Sequence, residues 1–82
     1  MFKVGRVIGY YEKTGIALVE LEGTISTHDK IKFVDGSIDL FSQIVGPIQI
    51  GHDKVDFANR GSVVLLKTHE VVKKGTEIFK TS

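Results

Sequence analysis

Three histidines and several serines are the residues in this chain whose side chains could begin a reaction. His28 and His52 are each followed by an aspartate, Asp29 and Asp53, and His69 stands apart. A His/Asp pair can share a proton or supply part of a zinc site, but zinc needs three or four converging ligands. Neighbouring residues on a strand point to opposite faces, so neither pair converges by itself. Ser26, Ser37, Ser42 and Ser62 offer hydroxyls, with no base at a spacing that would activate one. The chain has no cysteine, which removes thiolate catalysis, disulfides and cysteine–zinc sites together. No GxxxxGK(S/T) loop occurs, so no nucleotide phosphate is cradled. The chemistry expected is therefore that of a binding module: no enzyme, no catalytic residue, no metal and no cofactor.

Binding chemistry has two candidates. From Arg60 onward, Arg60, Lys67, Lys73, Lys74 and Lys80 face only Glu70 and Glu77, in a chain of net charge +1. Arg60, Lys67, Lys73 and Lys74 are the candidate RNA contacts, since turns and strand ends let long side chains reach outward. The same residues also suit an ordinary solvated face. The second candidate is apolar. Val63-Val64-Leu65-Leu66 is a continuous run, and Leu65 and Leu66 cannot both point inward on one strand, which leaves Leu65 to meet a partner or cover an outer face. Tyr10 and Tyr11 likewise face opposite ways. One belongs to the core, and the other could stack on a base or a partner; Tyr10 is the candidate contact.

The elements that must position these residues are strands. GRVIGYYEKTGIALVEL (5–21) reads as a hairpin of two β-rich runs around a polar centre. Gly5 and Gly9 mark a bend or a close backbone approach. Lys30 to Val34 alternates with Ile31 and Phe33 inward, and Asp35-Gly36 signals a two-residue hairpin loop. Ser37 to Ile50 is extended, with Gly46-Pro47 forcing a bulge or an edge position. Val55 to Asn59 is one helical turn or an extended connection, and Thr76 to Lys80 is the closing strand. No stretch of ten residues has helical periodicity.

Residues 1–82 therefore form one all-β domain, a small closed or nearly closed antiparallel β-barrel, since closure hides sheet edges. Its expected core is Val7, Ala17, Val19, Leu21, Ile31, Phe33, Val45, Ile48, Val64, Leu66 and Ile78. No apolar run approaches the roughly 20 residues that cross a bilayer. The N-terminus lacks a basic-then-apolar signal, so a cytoplasmic protein without membrane contact is expected.

GRVIGYY…TGIALVEL (5–21), GTISTHDKIKF (23–33), LFSQIVGPIQI (40–50) and GSVVLLKTHEVVKKGTEIFK (61–80) together resemble the second, β-barrel domain of translation GTPases such as elongation factor Tu and bacterial initiation factors. They resemble most its compact form, found as small stand-alone elongation-factor-like proteins and as the C-terminal barrel of collagenase-like peptidases. The pattern departs at His28-Asp29, where the family has Gly-Asp, and at Gly75-Thr76, where it again has Gly-Asp. Ser62 stands for a frequent Asp and Leu65 for a frequent Gly. The resemblance implies the barrel fold and a non-catalytic module that contacts RNA, the ribosome or translation factors. The alternative it leaves is a protein–protein docking or self-association module of a larger enzyme. GTP hydrolysis and peptidase activity belong to other domains of those proteins.

Overall fold

The structure is a computed structural model that describes residues 2–81. The described residues form ten strands in order: β1 (Phe2–Tyr11), β2 (Ile16–Leu21), β3 (Ile25–Ser26), β4 (Lys30–Asp35), β5 (Ile38–Ile44), β6 (Ile48–Ile50), β7 (Asp53–Val55), β8 (Phe57–Ala58), β9 (Val63–Lys67) and β10 (Glu77–Lys80). There is no helix among the described residues, so the Val55–Asn59 stretch takes the extended alternative. Eight strands make one sheet in the order β5-β4-β10-β1-β2-β9-β6-β7, and β3 pairs with β8. Every pairing is antiparallel. The architecture is the expected barrel-like one, but the ladder does not close: β5 and β7 are its two margins.

Alternation determines what goes inside. In β2, Ala17, Val19 and Leu21 are buried while the residues between them are half-covered. The register sets Val7 opposite Val19 and Val19 opposite Val64, and none of the three has solvent exposure. Ile78 lies opposite Phe33, whose ring stacks on Phe41 with centroids 4.5 Å apart. Fully burying side chains of this size contributes about 1.5–3 kcal/mol each. One core cluster draws on all these strands and adds Val45 and Val72 from the connections.

Two features of β1 let the sheet bend around that core. The β1–β10 register slips between Lys3 and Gly5, and the β1–β2 register between Val7 and Gly9. Each slip is a bulge that increases local twist. At Gly5 the approach is close: a Cβ there would lie 2.9 Å from Val19 Cγ1 and 3.0 Å from the Glu20 carbonyl. The β4–β5 loop falls one residue later than the Asp35-Gly36 expectation. Asp35 pairs with Ile38, leaving Gly36 and Ser37 as the loop, with Gly36 at φ 63° in the first position, as a type II′ loop requires.

Candidate functional site

The most distinctive place on the molecule is the seam between the two margins of the open sheet. Gln43, near the end of β5, is buried although polar, at 6% exposure. Its Nε2 donates to the Lys67 carbonyl at 2.9 Å, and its Oε1 accepts from the His69 amide at 2.9 Å. One side chain thus bridges β5 to the end of β9, where backbone pairing is missing. Two residues on, the Val45 amide donates to the Asp29 carbonyl and the Val45 carbonyl accepts from the His28 amide, both at 2.8 Å. With Gln43 and Val45 tied inward, Ile44 between them must face out, and it is 50% exposed.

The corner opposite Val45 is held tightly. His28 has φ 76°, the left-handed region that a side chain seldom adopts. Besides the Val45 bond, the Asp29 carboxylate accepts from the Ser26 amide at 2.8 Å and pairs with Lys80 Nζ at 3.2 Å. These contacts over-determine the turn and sustain the strained histidine.

Past Val45 the chain crosses the seam as Gly46-Pro47, and a shallow groove lies on each side. One, of about 470 Å³, runs between Ile44 and Val55 with Lys54, Asp56 and His28 at its rim. The other, of about 500 Å³, runs between Ile44 and Thr68 with Lys67 and His69 at its rim. Pro47 and Gly46 belong to both. This seam was not legible beforehand. The only signal in the sequence was Gly46-Pro47, which announces a break in pairing without saying what lies beside it.

The candidates from the sequence disperse. Arg60, Lys67, Lys73 and Lys74 are all exposed and none forms an ion pair among the described residues. They do not form one patch. Arg60 precedes the start of β9 and Lys67 ends it, so they sit at opposite ends of that strand. Lys74 lines a separate small hollow with Arg6 and Ile8. Leu65 lies on the outer face opposite Leu18 on one side and Gln49 on the other, and is half-buried by them. The apolar run Val63–Leu66 therefore alternates: Val64 and Leu66 are buried, and Val63 is the exposed member. Tyr10 packs on the core, and Tyr11 is the exposed ring. The three histidines lie in separate turns, and no group of three or more His, Cys, Asp or Glu among the described residues could hold a metal.

Electrostatics elsewhere is ordinary surface pairing. Lys3 reaches Glu77 at 2.8 Å and Glu22 at 3.4 Å, which raises its pKa above the usual lysine value, chiefly through the Glu77 hydrogen bond. Arg6 pairs with Glu20 and Lys32 with Asp39, both at 3.1 Å. No helix among the described residues is long and apolar enough to cross a membrane.

Comparison with known proteins places this geometry in context. No family model matches the chain. Over 77 residues, 94% of its length, the chain is 27% identical to an uncharacterized protease of Methanocaldococcus jannaschii. The match takes in 19% of that protein, so the chain spans about a fifth of the curated relative's length. Among solved structures it superposes on the C-terminal domain of a Geobacillus thermoleovorans protein named as a U32 peptidase. The TM-score is 0.91 at 24% identity, covering 99% of this chain and 93% of that one. The selenomethionine variant of the same domain gives a TM-score of 0.90 at 24% identity, covering 98% and 100%. This likeness is one of fold. It carries the peptidase-barrel half of the resemblance; the translation-factor half, and the RNA reading that came with it, gain nothing from it.

Proposed function

We propose that this domain is a non-catalytic docking module of a peptidase-like protein, holding a polypeptide partner through the open seam rather than performing a reaction itself. The observation that carries the reading is the lopsided match: nearly all of this chain corresponds to a small part of a much longer protease. A barrel accounting for about a fifth of such a protein leaves the chemistry to the remainder. The exposed side chains support the same reading, since Ile44 faces solvent on β5, one of the two margins of the open sheet.

Affinity capture on the immobilised domain from lysate of its own source, with and without ribonuclease, tests the proposal. A peptidase-like polypeptide retained in both conditions is the expected result. Ribosomal components lost on ribonuclease treatment would return the RNA reading. On the RNA reading, phosphate contacts by all four candidate cations would give a log–log salt slope of roughly −2.8, at ~0.7 per contact.

A further inference from the structure

Gly46 is a glycine that the fold itself does not require. Five of the nine glycines have positive φ, and the others except Gly46 have atoms within 4 Å of where a Cβ would stand. Gly46 has neither: its φ is outside the left-handed region and a Cβ would meet nothing. Neither Gly46 nor Pro47 makes a backbone hydrogen bond to any described residue. The ridge between the two grooves is therefore main chain without a side chain at Gly46, beside the exposed ring of Pro47, and Gly46 is open to close approach from outside.

The surroundings specify what could approach. The two grooves are shallow and adjoin at Ile44, Gly46 and Pro47, which line both, an arrangement that suits an extended chain rather than a compact ligand. The first groove lies between β5 and β7, each paired along one edge only, and the second lies between β5 and the end of β9; free strand edges take up extended segments through main-chain hydrogen bonds. Apolar walls from Ile44, Val55 and Pro47 accept apolar side chains. The rims are cationic. Lys54 lies on one groove and Lys67 on the other, neither with an ion pair among the described residues, and Asp56 is the single carboxylate lining either groove.

We infer that the seam is a slot for an extended peptide segment of alternating apolar and acidic residues, laid across Gly46-Pro47 with its carboxylates toward Lys54 and Lys67. The inference rests on the docking reading and supplies the surface and the chemistry of what it holds. In an extended segment successive side chains alternate, so apolar ones enter the grooves while acidic ones stay at the rim, within reach of the long lysine stems.

The test is a heteronuclear NMR titration of the full chain with three probes: an eight-residue peptide of alternating leucine and glutamate, its leucine–lysine counterpart, and octauridylate. The expected result is saturable shifts at residues 43–47, 54–56 and 67–69 with the acidic peptide. Binding of the lysine peptide should be about tenfold weaker, because like-charge juxtaposition disfavours it. Gly46→Ala should weaken the acidic peptide about fivefold with the melting temperature unchanged, as expected when only the approach of a partner is obstructed. Reversing both rims (Lys54→Glu with Lys67→Glu) should invert the preference between the two peptides. No shifts at millimolar peptide, shifts elsewhere, equal affinity for both peptides, or tighter binding of octauridylate to the same residues would each overturn the slot. If a peptidase-like polypeptide is captured and these variants leave its capture intact, docking stands and the slot falls. If the peptide binds but no such polypeptide is captured, the slot stands and the docking reading falls.

Discussion

β1 and β2 are bonded along both edges, β1 to β10 and β2, and β2 to β1 and β9, whereas β5 and β7 are bonded along one. The two regions use similar side chains to different ends. Across the middle, Val7, Val19 and Val64 form a row with no exposure. On β5, Ile38 is 64% exposed, Leu40 42% and Ile44 50%. Apolar character alone does not bury a residue. Burial needs a covered face, and the inner face of β5 is given to Phe41 and the polar Gln43. The middle of the sheet holds the fold, and its margin remains available for contact.

Four experiments sharpen or break that contrast. The largest effect belongs to Phe33→Ala, which removes a fully buried ring and its stacking partner's contact. It should cost about 3–5 kcal/mol, read as a lower urea midpoint; a loss under about 1 kcal/mol would mean that the core is not centred where the packing puts it. Next is Gln43→Leu. It strands the Lys67 carbonyl and the His69 amide at the seam and should cost about 1–3 kcal/mol. Hydrogen exchange should speed up at His69 and not at Val19; uniform acceleration would show that seam and middle open as one unit.

Gly46→Ala should change stability by no more than about 0.5 kcal/mol, since the site is open and its φ is ordinary. A large loss in thermal denaturation would make this glycine structural and erase the distinction between margin and middle. The smallest effect concerns Lys3. Its pKa is raised in the folded state, so its contribution is complete below the ordinary lysine value and is lost as pH climbs through the folded one. Stability should therefore decline slightly above about pH 10.4, and Glu77→Gln should remove most of that decline. A pH profile unchanged by the substitution would assign the decline to other groups.

Much of the fold could be read in advance. All eleven expected core residues are buried, none beyond 3% exposure, because period-2 alternation marks an inward face without knowledge of the partner strand. Val4, Ile25, Val34, Ala58 and Val72 are buried as well and lie outside that expectation; Val34 follows the buried Phe33 directly, at a register shift in the β4–β5 pairing. Ile25 and Ala58 sit in two-residue strands and Val72 in a connection, too short for any period to show, and Val4 falls at a bulge that breaks alternation. The candidate site fared differently. The four candidate RNA contacts have no ion pair among the described residues; a strand between Arg60 and Lys67 is legible in the sequence, whereas the placing of Lys74 beside Arg6 is not, because that depends on a distant element. Leu65 belongs to a continuous apolar run and is itself partly covered by Leu18 and Gln49, residues 47 and 16 positions away in the chain, while Val63 stays exposed.

The sequence by itself determined the longer strands, their inward faces, most of the turns to within a residue and the absence of helical periodicity, because each follows from steric and hydration preferences acting over a few residues. The tertiary structure alone decided the order of those strands. It inserted β10 between β1 and β4, placed β9 against β2, and left β5 and β7 without outer partners. That order rests on pairings between residues far apart in the chain, whose register is chosen by burial of the whole core at once. It is this choice that turned Gln43 inward, left Ile44 in solvent and opened the seam at Gly46-Pro47.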